Sequence, residues 1–464
     1  MKRPKKNVLR RNITALLIVF IIMFSGLIVY LGYVNVVFGE RWFATPYNPR
    51  IQNMKTNVAA GDILDRTGRK LLFTKDGKRE YIGGKGLRES IAHILGDEYG
   101  LSYGAQTIYS KYLYGQGLDT ITQITQLLSG EERRGGDVKL TIDSKLCDTA
   151  MDALGGHDGA VVVMNYKTGE VIASVSSPSF DPADMKEFQE GGGTSELVNR
   201  AFSGLYAPGS TFKLITAAAL IESGNEGFKT TCAGGTDIGG KRIACTGEHG
   251  DVDLESALVH SCNVYFAEAA LAMGKGALAA EAEKFLYNRK IMFGDVIMKD
   301  SVYESGSSDN DLAWSAVGQY HDLVTPLQSC MIAACIANDG VMMEPKLLLG
   351  VSNGGTASYS LTPSVAATPL DNTDKLKSMM VNVVKSGTGR KARIKGVTVA
   401  GKTGTAQVQL ENGEVGENAW FVGFIEDDEH PAAIAVVMER AGAGSSNAAP
   451  AAKTVLSKAI DLGY

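Results

Sequence analysis

An α+β fold is predicted for the larger part of this chain, after an apolar N-terminal helix and a smaller domain. Three observations carry that prediction. Short β-rich runs lie at both ends of the larger region, at 160–173 and again at 397–400, 419–425 and 432–438. Between them stand apolar, Ala-rich runs of helical length, at 214–221, 254–273 and 326–337. Ahead of both, an uninterrupted apolar stretch follows a cluster of basic residues. An antiparallel sheet of N- and C-terminal strands, with a helical block inserted between them, explains this order.

The first twelve residues contain Lys2, Arg3, Lys5, Lys6, Arg10 and Arg11 and no acid. From Ile13 to about Tyr33 there is no charged residue. Some ~21 helical residues rise about 30 Å, the thickness of a bilayer core. The apolar run continues through Val36, Val37 and Phe38 with no small-x-small cleavage pattern after it, so 13–38 reads as an uncleaved membrane anchor. The basic tail, 1–12, places the N-terminus in the cytoplasm and the rest of the chain outside the membrane. Tyr30, Tyr33, Trp42 and Phe43 suit the far interface.

Residues 39–136 read as a small, mainly structural domain. Thr45 to Ala60 is polar and extended, Gly61 to Leu72 reads strand, turn, strand, and 85–130 alternates short helical patterns with Gly-rich turns. Glu131 to Gly136 is a linker, and 137–464 forms the larger domain. There, Val138 to Asp143 predicts a strand leading into a helix near 146–154, and Ala160 to Ala173 predicts a hairpin. A terminal helix is expected over Ala449 to Leu462.

With 46 Lys and Arg against 51 Asp and Glu, the net charge of −5 argues against nucleic acid as a partner. Of six cysteines, Cys232 and Cys245 flank a hairpin-like segment that a disulfide would close. Cys147, Cys262, Cys330 and Cys335 lie in apolar helical patterns and read as core thiols. With no C-x-x-C and six scattered histidines, neither a metal site nor a cofactor is expected.

The chemistry is concentrated at Tyr206 to Ile215. Pro208 and Gly209 make a turn, Ser210 stands at the first turn of a buried helix, and Lys213 follows on the same face. A serine hydroxyl needs a base, and a lysine can serve if burial or a second cation lowers its pKa. Free N–H groups at the helix start favour negative charge. No other serine in the chain has a lysine three residues later. Ser261-Cys262-Asn263 follows some fifty residues on, and Lys402-Thr403-Gly404-Thr405 comes after a strand ending at Ala400. Rival matches stand in poorer settings. Lys167-Thr168-Gly169 precedes Ser210 and forms a hairpin turn, while Ser308-Asp309-Asn310 sits in a polar loop. Ser223 to Asn225 and Ser445 to Asn447 lie in turn-like or Gly-rich surroundings.

The ordered S-x-x-K, S-x-N and K-T-G set resembles that of penicillin-binding proteins and serine β-lactamases. Over almost its whole length the chain resembles the class B penicillin-binding proteins. Gly61 to Gly68 is similar to the family's R-G-x-I-x-D-R-x-G, with Ala60 where the arginine belongs. Gly104 to Gly115 is similar to G-x-E-x-x-Y/F-x-x-x-L-x-G, with Gln106 replacing the glutamate. Pro178 to Pro182, Asn199 to Ala201, Thr325 to Gln328, Gly387 to Gly389 and Trp420 to Gly423 also match.

The resemblance implies a transpeptidase domain after a pedestal-like domain, acting on peptidoglycan stem peptides ending in D-Ala-D-Ala and acylated by β-lactams. It implies Ser210 as nucleophile and Lys213 as base, with Ser261 relaying the proton and Asn263 holding the substrate amide and Lys213. Lys402 would keep Lys213 neutral, Thr403, Gly404 and Thr405 would line the substrate strand, and the backbone N–H groups of Ser210 and Thr405 would form the oxyanion hole. It also implies a SEDS-type glycosyltransferase as partner. A β-lactamase would not need the anchor and extra domain. A D,D-carboxypeptidase activity and a β-lactam-binding sensor or scaffold stay open at this point.

Overall fold

The computed structural model describes residues 6–43, 58–115, 128, 133–294, 296–353, 356–359, 363–371, 373–409 and 413–464. The basic tail before Lys6, the extended segment 44–57 and the parts of 85–136 at 116–127 and 129–132 lie outside the described residues. So do the side chains of Trp42 and Phe43.

Helix α1 (Lys6–Phe43) contains a 25-residue stretch, Arg10–Val34, of mean hydropathy 2.7. Its large apolar side chains, from Ile13 to Tyr33, are exposed and none packs into the rest of the protein. At 1.5 Å per residue the stretch is long enough to cross a bilayer.

Beyond it, strands β1 (Ile63–Leu64), β2 (Lys70–Lys75) and β3 (Lys78–Tyr81) lead to helix α2 (Lys85–Leu95). The turn between β1 and β2 is organised by buried Asp65, whose carboxylate accepts from the Thr67 and Arg69 N–H groups and from the Thr67 hydroxyl. Strand β4 (Asp137–Leu140) runs parallel to β1, and helix α3 (Ser144–Ala153) follows, capped by the Asp143 carboxylate. A six-stranded sheet of order β13-β12-β4-β1-β2-β3 results, completed by β12 (Leu348–Asn353) and β13 (Thr356–Tyr359). It therefore takes strands from both sides of the boundary expected at 136/137.

The second sheet carries the site. Strands β5 (Gly159–Asn165) and β6 (Val171–Ser177) form the expected hairpin around Lys167 to Gly169, pairing Val163 with Ala173. Three late strands, β15 (Val399–Gln409), β16 (Val415–Ile425) and β17 (Ala432–Met438), complete an antiparallel sheet of order β15-β16-β17-β5-β6. Every residue of β17 is buried, so both faces of the sheet are covered. Helix α8 (Pro326–Ala337), buried along its whole length, packs on β16, β17 and β5. The terminal helix α10 (Ala448–Asp461) packs on β16 and β17 together with α3.

Between β6 and β15 lies the helical block. It contains α4 (Lys213–Glu222), α5 (Leu254–His260), α6 (Asn263–Met273), α7 (Asp309–Ser315) and α9 (Asp374–Lys385). Four short strands rim it: β7 (Thr230–Cys232), β8 (Gly235–Ile238), β9 (Lys241–Ala244) and β10 (Gly250–Val252). Strands β8 and β9 form a hairpin, and β7 pairs with β10. The minor strands β11 (Met342–Met343) and β14 (Val365–Ala367) pair separately.

Candidate active site

Ser210 lies in a 3-10 turn, Gly209–Thr211, immediately ahead of α4. The expected helical first turn is thus wound tighter, and α4 begins at Lys213 itself. Gly209 takes φ +54°, and a Cβ there would meet the Thr405 carbonyl at 2.7 Å. Only glycine permits this approach of the serine turn to β15. The segment leading into the turn is held by fully buried Trp420, whose Nε1 donates to the Ala207 carbonyl at 3.1 Å. Tyr206 packs edge-on against the same indole and donates its hydroxyl to Glu439 at 2.8 Å.

The stretch expected as one helical block, 254–273, is two helices. Ser261 breaks it with φ +59°, a left-handed conformation unusual for a residue with a side chain. The break turns the Ser261 carbonyl and hydroxyl toward Lys213. Lys213 Nζ donates to Ser261 O at 2.7 Å and to Asn263 Oδ1 at 2.6 Å, and lies 3.3 Å from Ser261 Oγ. The Asn263 amide in turn donates to Ala244 O at 2.8 Å, anchoring the carboxamide to the end of β9.

Lys402 arrives from the other side. Strand β15 does not end at Ala400 but continues to Gln409, so Lys402 to Thr405 lie within it. It is an edge strand of the five-stranded sheet. Lys402 Nζ donates to Ser261 Oγ at 2.9 Å and to Thr403 O at 2.9 Å. Both lysines are fully buried. Burial pushes the Lys213 amine down to about 8. Burial, with the Lys213 charge nearby, pushes Lys402 well below the usual lysine range. A neutral Lys213 has two hydrogens for its two carbonyl acceptors and a lone pair left to take a proton.

Ser210 Oγ makes no hydrogen bond among the described residues. It opens on a cleft of about 410 Å³ whose lining includes Ser261, Asn263, Thr388, Thr403, Gly404 and Thr405. The hydroxyl is half-buried and faces the cleft free of a partner. Such looseness is usual for a catalytic group before substrate binds.

Gly404 has a role the sequence did not reveal. A Cβ there would lie 3.0 Å from Pro208 O, from Thr211 Cγ2 and from Trp420 Cβ. The position is closed by the serine turn packing on β15, rather than kept bare only for an incoming strand. Thr388, within the Gly387-Thr-Gly389 match but assigned no task from sequence, accepts or donates a 2.6 Å hydrogen bond with the Thr403 hydroxyl. The decoys separate clearly. Ser308 is not in an unstructured loop but caps α7, exchanging hydrogen bonds with Asp311. Lys167 to Gly169 is a turn.

Two expectations about cysteine are corrected. All six cysteines are free thiols, so Cys232 and Cys245 are not bridged. The fold also places Cys232, Cys245, His249 and Cys262 together, with their ligand atoms all within 4.8 Å of one another. The pattern C-x12-C-x3-H-x12-C spreads the group over four elements, and so a search for C-x-x-C passed over it.

Residues 159–457 match the penicillin-binding protein transpeptidase domain. Peptidoglycan D,D-transpeptidase PbpA of Mycolicibacterium smegmatis is 29% identical, the alignment covering 98% of this chain and 99% of that protein. PbpA of Mycobacterium tuberculosis is 30% identical over 73% of this chain and 75% of its own. Among solved structures, penicillin-binding protein A from M. tuberculosis, a ceftriaxone acyl-enzyme complex, superposes with a TM-score of 0.80. It is 27% identical and covers 88% of this chain and 99% of its own. The α+β architecture with its antiparallel sheet, the ordered motifs and the apolar N-terminal helix agree with these matches, and the chain belongs to the class B penicillin-binding proteins.

Proposed function

We propose that the chain is a peptidoglycan D,D-transpeptidase working through an acyl-enzyme on Ser210. The observation that carries this reading is the meeting of Lys213, Lys402, Ser261 and Asn263 beside the Ser210 cleft, with both amines fully buried. The relatives named above as D,D-transpeptidases, and the acyl-enzyme described for one of them, support it.

The residues divide the work as follows. A stem peptide ending in D-Ala-D-Ala lies along the edge of β15 as an added strand, against Thr403, Gly404 and Thr405. The Lys213 lone pair takes the Ser210 proton as Oγ attacks the penultimate D-Ala carbonyl. The oxyanion that forms is met by the backbone N–H groups of Ser210 and Thr405, each worth about 3 kcal/mol. The C–N bond then breaks, and Ser261, which accepts from Lys402, passes a proton to the departing D-Ala amine. Asn263 fixes Lys213 and holds the substrate amide. An amine from a neighbouring stem peptide attacks the ester, and its lost proton returns to Ser210 as the C–O bond breaks. A β-lactam acylates the same hydroxyl.

The cytoplasmic N-terminus and external catalytic domain are argued from Arg10 and Arg11 beside the apolar helix and the basic residues before them. A SEDS-type glycosyltransferase, meeting α1 and the N-terminal region, is the partner this reading assigns on the family resemblance alone. The test is a fluorescent penicillin applied to wild type and Ser210→Ala, followed by a dimeric stem-peptide assay. Labelling only of wild type, with cross-linked product, supports the reading. Labelling without cross-linking would move it to a sensor or scaffold, and product lacking D-Ala but uncrossed to a carboxypeptidase.

A further inference from the structure

The cysteine and histidine cluster beside the cleft plays no part in the chemistry above, yet its geometry is specific. His249 Nδ1 lies 3.5 Å from Cys232 Sγ and 3.4 Å from Cys245 Sγ, and Cys245 Sγ lies 3.9 Å from Cys262 Sγ. In tetrahedral zinc sites, with Zn–S near 2.3 Å and Zn–N near 2.0–2.1 Å, the sulfur–nitrogen and sulfur–sulfur edges come to about 3.6 and 3.8 Å. A disulfide would need two sulfurs at about 2.05 Å and would leave the other two groups idle. Here four groups converge on one point, and the thiols are free.

The surroundings suit bound thiolates. The Asn263 N–H points at Cys245 Sγ at 3.2 Å, and the Tyr265 N–H at Cys262 Sγ at 3.5 Å. Both donors belong to the first turn of α6, where free N–H groups favour negative charge. Cys232 and Cys262 are fully buried, while Cys245 and His249 are half-buried, so an ion could enter from one side. We propose that Cys232, Cys245, His249 and Cys262 bind a tetrahedral Zn²⁺ ion that clamps the Ser261–Asn263 turn in place.

The clamp has a mechanical purpose. Cys232 ends β7, Cys245 follows β9, and His249 precedes β10. These short strands pair two by two, and the β8–β9 hairpin has only a small apolar cluster of its own, Ile238 and Ile243 against Ala267 and Ala313. Cys262 stands between the two residues that fix Lys213. One ion would therefore tie the rim strands to the left-handed Ser261 and to Asn263, whose own anchor is Ala244 next to Cys245. The four ligands act as positioning residues.

The proposal is tested on the full-length protein, purified in detergent with any affinity tag removed. Inductively coupled plasma mass spectrometry should find stoichiometric zinc in wild type and its loss in Cys232→Ser and His249→Ala. Neither variant alters the Ser261–Asn263 turn directly. Replacing zinc by Co²⁺ should give intense tetrahedral d–d bands with sulfur-to-metal charge transfer, altered in both variants. Chelation of wild type should slow acylation by a fluorescent penicillin about tenfold or more, with recovery on adding Zn²⁺. These metal readouts hold whether or not the chain cross-links peptidoglycan. Protein that binds neither Zn²⁺ nor Co²⁺ stoichiometrically, or that carries a Cys232–Cys245 disulfide by mass spectrometry, overturns the proposal. Zinc retained undiminished in both variants does the same. Unchanged acylation after complete zinc removal refutes the clamp.

Discussion

Lys402 Nζ donates to Ser261 Oγ at 2.9 Å, across 141 residues of chain, and so puts the second buried amine on the same hydroxyl that Lys213 approaches from α4. Neither lysine has a carboxylate partner, and each relies on neutral oxygens. Two buried cations so placed would repel, and release of a proton from one relieves the cost. Ser261 is the bridge between them.

Removing that bridge should therefore be felt in the reaction more than in the fold. Ser261→Ala leaves Lys402 with only the Thr403 carbonyl and interrupts the route to the leaving amine. Acylation by a fluorescent penicillin should fall about 10²–10⁴-fold, while thermal stability, read by differential scanning fluorimetry, changes little. A loss confined to stability would contradict the relay.

The pH profile of acylation should follow Lys213. Its pKa is lowered to about 8 by burial, and only the neutral amine accepts a proton. Below that value the amine is charged and the reaction is suppressed; above it the rate levels off. Between pH 8 and pH 6 the acylation rate constant should drop roughly a hundredfold, tenfold per pH unit, measured by stopped-flow with a chromogenic β-lactam. A profile flat across that window would assign the base elsewhere.

Gly404→Ala tests the packing of the serine turn on β15. Its Cβ meets Pro208 O, Thr211 Cγ2 and Trp420 Cβ, each at 3.0 Å. Overpacking of this kind costs about 1–3 kcal/mol. Both the melting temperature and the acylation rate should fall, whereas an alanine that harmed only substrate binding would leave the melting temperature unmoved.

Arg88 on α2 holds Asp181, just past β6, through a two-pronged contact of 2.7 and 2.5 Å. The pair joins the N-terminal region to the catalytic sheet. The Arg88 guanidinium, outweighing the opposing effect of burial, keeps the Asp181 carboxyl below its usual range. A depressed carboxyl pKa contributes stability above the ordinary carboxylate range, and that stability is lost as pH falls through the lowered value. Arg88→Ala should cost about 1–2 kcal/mol at pH 7. The difference from wild type should shrink below about pH 4 in chemical denaturation.

Deleting residues 1–43 should release the protein from the membrane fraction without loss of penicillin labelling. The apolar stretch of α1 buries none of its length against the folded part. Fractionation followed by labelling of the truncated chain checks both halves of this expectation.

Local pattern made much of this legible. The turn at Pro208–Gly209, the Ala-rich run behind it and the β-rich hairpin at 160–173 each follow from nearest-neighbour chemistry, and each appears where the residues put it. The ordered serine, lysine and asparagine motifs named the chemistry because few other spacings in the chain can supply a base to a serine. What could not be read is where separated segments stop or meet. Strand β15 runs nine residues past Ala400 because β16 pairs with it throughout, and that pairing is long-range. The helical block breaks at Ser261 because its carbonyl and hydroxyl are turned toward Lys213, not because the local composition forbids a helix.

The residues by themselves determined which side chains could react, that an apolar segment precedes them, and which way the helices and hairpins run. Tertiary structure alone decided that Gly404 is closed by the serine turn, that the six-stranded sheet draws on three distant parts of the chain, and that Cys232, Cys245, His249 and Cys262 face one another. Propensity and spacing act over a few residues, whereas these outcomes depend on which surfaces are buried against each other once the whole core has formed.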